Sequence, residues 1–331
     1  MSEIRWGIIG CGGVTEVKSG PAFNKVPDSS LLAVMRRDAA KAEDYARRHD
    51  VPHWYNDADQ IINNPKINAV YVATPPSSHE DYVIKIIDSG KHVYVEKPMA
   101  LDYASAKRMA DYAAKKNVKL CVAHYRRQQP VLLKIKEMLA SGVIGQPLTA
   151  ELKYYRKPLS PEELARPGVA WRVDYTISGG GLFHDLAPHQ LDLAYYFFGD
   201  VVSAEGLSFN QGNLYPADDI VNGNIRFKNG VLFNGTWSFN SAAMHETDLF
   251  EILGSKGKLS FAVFGDPVIT LENEEGTNLH RFEKPEHVQQ YLIKAIVQYY
   301  LGKAENPCSG ADGAEVMRLI DAFTKSLKRT G

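Results

Sequence analysis

The first 122 residues alternate between short apolar runs and helical patterns, and this alternation is the feature that most restricts the fold. Each run is brief, continuous and bounded by Gly, Pro or Asn, which is typical of a strand buried on both faces. The predicted strands cover residues 4–9, 31–35, 69–73, 92–95 and 118–122. Strand–helix repeats of this kind predict an α/β domain with a doubly wound parallel sheet over residues 1–122.

Predicted helices fill the intervals between these strands, at residues 39–49, 79–88 and 103–116. Side chains that favour helix N-caps precede them, namely Asp38, the pair Ser77 and Ser78, and Asp102. Gly90 follows the second of these helices, where a left-handed C-terminal cap requires glycine.

The pattern changes after about residue 123 to strands joined by short turns, which predicts a large, mostly antiparallel open sheet. These strands cover residues 150–155, 201–209, 220–227, 231–239, 247–253 and 258–261, and further helices fall at 185–198, 287–301 and 312–328. The segment Lys228-Asn229-Gly230 predicts a type I′ hairpin turn. We therefore expect a second α/β domain over residues 123–331, with its C-terminal helix packing back on the first domain.

The length of 331 residues fits two domains, because single cores stop growing at roughly 250–300 residues. With 38 basic and 39 acidic side chains, the net charge of −1 argues against nucleic acid or an anionic membrane as partner. The cysteines, Cys11, Cys121 and Cys308, are too scattered for a disulfide framework or a zinc ribbon. Neither a signal peptide nor an apolar run of ~20 residues is present, so we expect a cytoplasmic protein.

A glycine-rich turn, Gly10-Cys11-Gly12-Gly13-Val14-Thr15, follows the first predicted strand and opens a helix. In a Rossmann-type dinucleotide-binding fold, the first glycine permits the tight turn and the second lets the backbone approach a pyrophosphate. The third position of the usual pattern is Thr15 here, and Gly20-Pro21 predicts a bend or restart of the helix. Because the turn lies within five alternating units, cofactor binding is favoured over an ordinary loop.

The second predicted strand ends in Arg36-Arg37, where folds that bind NAD usually carry Asp or Glu for the ribose hydroxyls. A guanidinium suits a 2′-phosphate through charge-assisted hydrogen bonds, which favours NADP and leaves NAD as the second choice. A solvated arginine pair beside Asp38 is the alternative interpretation.

The segment Ala73-Thr74-Pro75-Pro76-Ser77-Ser78-His79 follows the third predicted strand. A loop at the carboxyl edge of a parallel sheet lies along the cofactor, which makes this segment a candidate for cofactor contact. A well-capped connection with His79 on the surface is the alternative.

Glu96-Lys97-Pro98 ends the fourth predicted strand, so Lys97 falls at the sheet edge where ligands bind. A neighbouring cation or desolvation would bring the pKa of a lysine there into a range useful for proton transfer. An ordinary solvated lysine is the alternative.

A triglycine, Gly179-Gly180-Gly181, leads into a helix on which Asp185, His189 and Asp192 share one face. Histidine is suited to proton transfer near neutral pH. A metal site of His184, Asp185 and His189 and a polar helix cap at Asp185 are alternatives. We expect no metal site, since adjacent helical residues diverge by about 100°.

Together these motifs resemble those of the Gfo/Idh/MocA oxidoreductase family, which includes glucose-fructose oxidoreductase and inositol dehydrogenase. The resemblance runs from Ile4 to the closing helix and rests on Gly10-x-Gly12, Glu96-Lys97-Pro98, and the triglycine followed by Asp185 and His189. It implies a nucleotide-binding domain followed by an α/β domain whose open sheet forms a wall of the substrate site. It also implies a homodimer or homotetramer assembled through that sheet.

The resemblance implies a catalytic set of Lys97, Asp185 and His189. Lys97 or His189 would move the proton, and Asp185 would orient the reacting group. The residues expected to contact the cofactor are Gly10, Cys11, Gly12, Gly13, Val14, Arg36, Arg37, Lys41, Thr74, Pro75, Pro76, His79, Glu96 and Lys97. The residues expected to contact substrate are Tyr125, Arg126, Trp171, Arg172, Asp174 and His189.

We therefore expect an NAD(P)-dependent oxidoreductase that prefers NADP. Hydride would pass between nicotinamide and a hydroxyl or carbonyl group of a carbohydrate, cyclitol or dihydrodiol. A catalytically silent nucleotide-binding regulator of the same fold and a metal-dependent hydrolase are the alternatives.

Overall fold

The computed structural model describes residues 2–325 and divides into two units. The first unit consists of Met1–Gln128 and Pro285–Glu315, and the second of Gln129–Lys284 and Val316–Gly331. The first unit thus runs past the predicted boundary at residue 122. It also takes in a late segment, residues 285–315, that the sequence prediction assigns to the second domain.

A six-stranded parallel sheet forms the centre of the first unit, with its strands in the order β3-β2-β1-β4-β5-β6. The strands are β1 Ile4–Ile9, β2 Ser29–Met35, β3 His53–Tyr55, β4 Ala69–Val72, β5 His92–Val95 and β6 Leu120–Val122. This topology confirms the predicted doubly wound Rossmann fold. The sequence prediction missed β3, which has three residues and exposes His53 and Trp54, so it contains no apolar run.

Thirteen α-helices accompany the strands within residues 2–325. They are α1 Gly13–Val17, α2 Ala22–Lys25, α3 Ala39–Arg48, α4 Asp59–Ile62, α5 His79–Asp88, α6 Tyr103–Lys115, α7 Pro130–Ser141, α8 Pro161–Leu164, α9 Pro167–Val173, α10 Tyr175–Ser178, α11 Gly181–Phe198, α12 Gln290–Tyr300 and α13 Gly310–Thr324. Asp38 and Asp102 cap α3 and α6 through their side chains, as predicted. Ser78 stands at the N-cap of α5 but makes no side-chain cap hydrogen bond.

The core of the first unit includes a helix from the late segment. Leu292, Ile293 and Ile296 of α12 are buried in the same apolar cluster as Trp6 and Tyr94 of the parallel sheet. Helix α12, which the sequence prediction assigns to the second domain, is therefore part of the first unit. Helix α13 is divided between the two units after residue 315.

An eight-stranded sheet forms the second unit, in the order β14-β13-β12-β11-β7-β10-β9-β8. The strands are β7 Pro147–Tyr155, β8 Val201–Phe209, β9 Ile220–Phe227, β10 Leu232–Ser238, β11 Thr247–Gly254, β12 Gly257–Phe261, β13 Val268–Asn273 and β14 Gly276–Arg281. All neighbouring strands are antiparallel except β7 and β10. The predicted open, mostly antiparallel sheet is confirmed, with β13 and β14 added.

The turn between β9 and β10 differs from the predicted type I′ turn. Only Gly230 has a positive φ, 93°, and its N–H donates to the carbonyl oxygen of Phe227. Phe227 N–H in turn donates to the carbonyl oxygen of Val231. This is a three-residue loop with glycine in the left-handed position, because Asn229 does not adopt the positive φ that a type I′ turn needs.

One face of the second sheet is covered by helices. Phe183 and Phe198 of α11 contact Trp237 and Phe227, and Phe323 of α13 contacts Trp237 from within the same unit. Within residues 2–325, no helix is both long enough and apolar enough to span a membrane.

Candidate active site

The glycine-rich turn after β1 is tied to the end of β2. The N–H groups of Gly10 and Cys11 both donate to the carbonyl oxygen of Met35, at 2.9 and 3.0 Å. Gly10 has a φ of 96°, and a Cβ there would lie 2.9 Å from the backbone nitrogen of Thr74, so glycine is required. A Cβ on Gly13 would meet no atom within 4 Å among the described residues. The turn therefore leaves the space that a pyrophosphate approaching the backbone needs.

Thr15, at the third position of the glycine pattern, is fully buried. Its hydroxyl donates to the carbonyl oxygen of Gly12 at 2.9 Å, and its own carbonyl accepts a hydrogen bond from the Tyr45 hydroxyl at 2.8 Å. Helix α1 ends at Val17, and Pro21 stands at the N-cap of α2, so the predicted restart is confirmed. Of the other predicted contacts in this turn, Val14 is half-buried. Cys11 is fully buried, so its side chain offers no surface to a ligand.

Two arginines and a lysine follow the end of β2. The Nη1 group of Arg36 donates to the carbonyl oxygen of Cys11 at 3.4 Å, which holds its guanidinium beside the glycine-rich turn. Arg37 and Lys41 are exposed. Asp38 is occupied locally: one carboxylate oxygen caps α3 at the N–H of Lys41, and the other pairs with the Lys41 ammonium at 3.1 Å. These Lys41 contacts lower the pKa of Asp38.

The loop after β4 is bound by a histidine that the sequence prediction placed at the cofactor. His79 is fully buried, with Nε2 2.7 Å from the carbonyl oxygen of Thr74 and Nδ1 within 3.2 Å of the carbonyls of Pro98 and Met99. Burial lowers its pKa. Because both ring nitrogens face backbone carbonyls, His79 joins the β4 and β5 loops instead of offering a polar atom to a ligand. The neighbouring Thr74 and Pro75 are half-buried, and Pro76 is buried.

The carboxylate of Glu96 is used inside the first unit. One oxygen accepts hydrogen bonds from the Tyr71 hydroxyl at 2.5 Å and the Gln289 amide at 2.6 Å, and the other accepts from the backbone N–H of Lys97 at 3.0 Å. The Tyr94 hydroxyl donates to the Gln289 carbonyl oxygen at 2.7 Å. Glu96 therefore belongs to a network that holds the Lys97 backbone, and its contact with the cofactor stays a prediction. Lys97 itself is half-buried and precedes a cis proline.

Tyr125 and Arg126, predicted to contact substrate, follow β6 in a 3-10 helix, Tyr125–Gln128. Tyr125 is 6% exposed and belongs to the apolar core of the first unit. The Arg126 guanidinium lies 5.6 Å from the centre of the Tyr125 ring. The structure therefore leaves Arg126 as the more accessible of the two side chains, since it is half-buried.

In the second unit, the triglycine joins α10 to α11, and internal packing accounts for two of its glycines. A Cβ on Gly180 would lie 2.1 Å from the His184 ring, and one on Gly181 would lie 2.5 Å from the Cβ of Ala217. Gly179 and Gly181 also have positive φ angles. Within residues 2–325, no three His, Cys, Asp or Glu side chains are grouped so that they could hold a metal ion. His184 instead directs Nδ1 to the carbonyl oxygen of Gly180 at 3.1 Å.

Asp185 forms an ion pair with Arg172 of α9. The Arg172 Nε group donates to Asp185 at 2.9 Å, and its guanidinium lies 4.7 Å from the centre of the Trp171 ring. Arg172 also donates to the carbonyl oxygen of Gly168. The structure thus brings Trp171 and Arg172, predicted to contact substrate, together with Asp185 of the predicted catalytic set. Asp174 instead caps α10 by accepting from the N–H and hydroxyl of Thr176.

His189 lies one turn beyond Asp185 on α11 and is 4% exposed. Asp192, the third member of this face, is 1% exposed. The ring of Phe264, in the turn between β12 and β13, lies 5.5 Å from the His189 ring at an angle of 81°. The sequence prediction missed this contact, because no local pattern connects residues 75 positions apart.

The fold and the glycine-rich turn define the first unit as an NAD-binding Rossmann domain, and comparisons with known proteins agree. Residues 4–124 match the family model described as "Oxidoreductase family, NAD-binding Rossmann fold", and residues 132–260 match "GFO/IDH/MocA C-terminal domain". The chain belongs to the GFO/IDH/MocA family of oxidoreductases.

Relatives match this chain over almost its whole length. It is 46% identical to "Oxidoreductase P35" of Formosa agariphila, over 97% of this chain and 98% of that protein. It is 27% identical to myo-inositol 2-dehydrogenase of Thermotoga maritima, over 98% of this chain and 96% of that protein. Among solved structures, levoglucosan dehydrogenase in complex with NADH and levoglucosan has the same fold, with a TM-score of 0.87, 23% identity and coverage of 97% and 96%.

Proposed function

We propose that this oxidoreductase prefers NADP and acts on a hydroxyl or carbonyl group of a carbohydrate, cyclitol or dihydrodiol. The observation that carries the cofactor choice is Arg36, which follows β2 and whose guanidinium is held beside the glycine-rich turn. A 2′-phosphate would find a charge-assisted partner there. Arg37 and Lys41 would add positive charge at the same end of β2.

Asp38, the acidic residue nearest to Arg36 in the sequence, also supports the choice of NADP over NAD. NAD-binding folds usually use a carboxylate at this strand end to accept the ribose hydroxyls. Asp38 is two residues beyond Arg36, and both its oxygens are occupied by Lys41. An NAD ribose would therefore compete with a helix cap for this carboxylate, whereas a 2′-phosphate would not need it.

The substrate class is proposed from the chemistry of the candidate site and from the names of the relatives. The myo-inositol and levoglucosan enzymes act on hydroxylated rings, as their names state. In this chain, Trp171 and Arg172 form a stacked aromatic and cationic surface beside the Asp185 carboxylate. Aromatic faces and charged hydrogen-bonding groups together suit a ring that bears several hydroxyls.

In this proposal, Lys97 or His189 moves the hydroxyl proton of the substrate. The chemistry that a nicotinamide supplies when bound is hydride transfer at the substrate carbon that bears this hydroxyl. Glu96 holds the backbone N–H of Lys97, so the lysine side chain starts from a fixed point. Asp185, held by Arg172, would orient a substrate hydroxyl. Cofactor contacts are proposed for the glycine-rich turn, for Thr74 and Pro75, and for Arg36, Arg37 and Lys41.

A paired titration with NADPH and NADH tests the cofactor choice. We expect NADPH to bind roughly tenfold more tightly, and Arg36→Ala to remove most of that preference while NADH binding changes little. Arg47→Ala is the matched control, since Arg47 is an exposed arginine on α3 that pairs with Asp44. Equal affinity of the unmodified protein for both coenzymes would refute the preference for NADP.

A panel of sugars, cyclitols and dihydrodiols, followed by absorbance of the reduced nicotinamide, tests the activity. Lys97→Met is expected to leave NADPH binding intact and to reduce turnover by orders of magnitude. Unchanged turnover would remove Lys97 from the catalytic set. Tight NADPH binding with no turnover on the whole panel would favour the regulator over the enzyme.

The uncovered face of the second sheet is proposed as the site where further copies of the chain dock, giving a homodimer or homotetramer. It carries apolar side chains that are 47–64% exposed, namely Leu207, Phe209, Leu232, Leu253 and Leu279. Apolar side chains exposed on four of the eight strands support an interface on this face. Phe209→Glu combined with Leu232→Glu should lower the mass measured by light scattering, whereas Leu214→Glu, in a loop and 47% exposed, should not. A monomeric unmodified protein would contradict this proposal.

A further inference from the structure

A turn of the second unit places an aromatic ring against His189. Phe264 lies between β12 and β13, and its ring centre is 5.5 Å from that of the imidazole, with the two planes at 81°. This is an edge-to-face arrangement, which aromatic pairs prefer over direct stacking. The contact is specific in direction, so it restrains the rotation of the histidine ring as well as its position.

The turn that carries Phe264 is held by one carboxylate. Asp248, near the start of β11, accepts from the N–H of Val263 at 3.0 Å through one oxygen. Its other oxygen accepts from the N–H groups of Phe264 at 2.6 Å and Gly265 at 3.0 Å. Three consecutive N–H groups are thereby bound to an ionised acceptor, and such bonds are stronger than bonds between neutral groups. The backbone of Phe264 is fixed by this side chain.

A second aromatic ring, that of Tyr154, also packs against Phe264. Tyr154 of β7 is 5% exposed, and its ring centre lies 5.2 Å from that of Phe264. Phe264 is therefore in contact with both Tyr154 and His189, while Asp248 binds its backbone. Tyr154 and Asp248 come from two different strands, β7 and β11, so they restrain Phe264 without help from a ligand.

A histidine that moves a proton must be aimed within hydrogen-bond reach of it, yet the terminal torsion of histidine is intrinsically broad. We propose that Phe264 and Asp248 are positioning residues for His189: Phe264 sets the imidazole orientation, and Asp248 sets Phe264. The inference rests on the proposed role of His189 in substrate binding and proton transfer. Neither residue is assigned contact with substrate or cofactor.

The first test measures the histidine ring and needs no substrate. Protein labelled at histidine ring carbons is examined by NMR from pH 5 to 9, and His189→Gln identifies the His189 signal among the ten histidines. Phe264→Leu keeps an apolar side chain but removes the aromatic ring, so it should shift the neutral-form signal of His189. Asp248→Asn loses an acceptor oxygen and should shift the same signal in the same direction by less.

The matched control is Tyr291→Leu, which also replaces an aromatic ring by leucine, at a position 42% exposed on α12. It should leave the His189 signal unchanged, and thermal melting verifies that all variants are folded. An unshifted His189 signal in folded Phe264→Leu would overturn the proposal. A shift in Phe264→Leu with none in Asp248→Asn would overturn the part assigned to Asp248.

The second test uses turnover. Loss of one aromatic pair corresponds to a factor of roughly 2 to 12, so Phe264→Leu should lower kcat by about that factor while the Kd of NADPH stays constant. Asp248→Asn should lower kcat by a smaller factor, and Tyr291→Leu should not change it. An unchanged kcat in Phe264→Leu would overturn the positioning role. Absence of turnover in the unmodified protein would count against the proposed function, while the NMR result would still decide the contact.

Discussion

Glycine-rich turns precede a helix in both units, at Gly10–Gly13 before α1 and at Gly179–Gly181 before α11. In the second turn, a Cβ on Gly180 would meet the buried ring of His184 at 2.1 Å. In the first turn, a Cβ on Gly12 would meet only the carbonyl oxygen of Gly10, at 3.8 Å, and Gly13 has open space beside it within the described residues.

This difference separates two physical reasons for glycine. The chain's own packing requires Gly180, so that position carries no information about a ligand. Packing within residues 2–325 does not require Gly12 or Gly13, which leaves the approach of an external group as the reason that Rossmann folds provide. The following predictions test whether a substitution at Gly180 affects stability alone and a substitution at Gly12 affects cofactor binding alone.

The largest effect is expected at Gly10, where both reasons apply. Alanine there would combine a φ of 96° with contacts of 2.9 Å to the backbone of Ala73 and Thr74. We expect Gly10→Ala to reduce the free energy of unfolding by about 3–4 kcal/mol and to abolish measurable NADPH binding. Calorimetry and coenzyme titration measure the two changes. Stability close to that of the unmodified protein would mean that the turn is less tightly packed than described.

A pH effect of similar size is expected from His184 in the second turn. Burial lowers its pKa from 6.5 to about 4, so between those values the unfolded chain binds a proton that the folded protein does not. Stability should therefore fall as the pH is lowered from 6.5 to about 4, by roughly 3 kcal/mol from this group. His184→Gln should flatten the pH dependence of the free energy of unfolding.

Three histidines of the first unit also lower the free energy of unfolding as the pH falls. The pH dependence should therefore flatten only in part in His184→Gln. Burial also lowers the pKa of His79, that of His92 to about 4 and that of His124 to about 3. An identical slope in His184→Gln and in the unmodified protein would show that His184 is not the neutral, buried group described.

An intermediate effect on stability alone is expected at Gly180. Gly180→Ala must displace the His184 ring, which should cost about 2 kcal/mol and lower Tm by roughly 4–8 °C. Gly168→Ala, on α9 with open space beside it in the described chain, is the matched control and should leave Tm nearly unchanged. The Kd of NADPH should be the same in both variants. A weaker NADPH affinity in Gly180→Ala would contradict the claim that Gly180 serves packing and not cofactor binding.

The smallest change in free energy is expected at Gly12, and it should appear in binding alone. Gly12 has a φ of −130° and a ψ of −157°, which alanine adopts readily, so Tm should change little. Because a methyl group would occupy the space proposed for the pyrophosphate, the Kd of NADPH should rise about tenfold, or ~1.4 kcal/mol. Unchanged affinity would contradict the proposed role of the glycine-rich turn in binding the pyrophosphate.

The success of the sequence analysis differs between the parts of the molecule for physical reasons. Strands β1 and β5 have the predicted bounds, since strands buried on both faces read as continuous apolar runs. The roles of His79 and Glu96 were not predictable, because their partners lie on other segments. Gln289 is 193 positions from Glu96, and single-sequence patterns contain no information at that distance.

The same limit explains the outcome at the candidate site. The sequence located Lys97, Asp185 and His189 through motifs of a few residues each, whereas the groups around them come from distant strands and helices. The ion pair between Arg172 and Asp185 was not predicted, although only 13 positions separate the two residues. Phe264 and Asp248 have no comparable sequence signal, although the Asp248 carboxylate accepts three hydrogen bonds from the backbone of the turn that carries Phe264.

The return of residues 285–315 to the first unit has a consequence for the order in which the protein is completed. A nascent chain that has left the ribosome up to residue 128 contains all six parallel strands, but it lacks Gln289, the amide that binds Glu96, and the whole of α12. The nucleotide-binding unit therefore finishes folding only after α12, which ends at Tyr300, has been synthesised. A stop codon shortly before residue 285 would damage a unit whose six strands lie within residues 4–122.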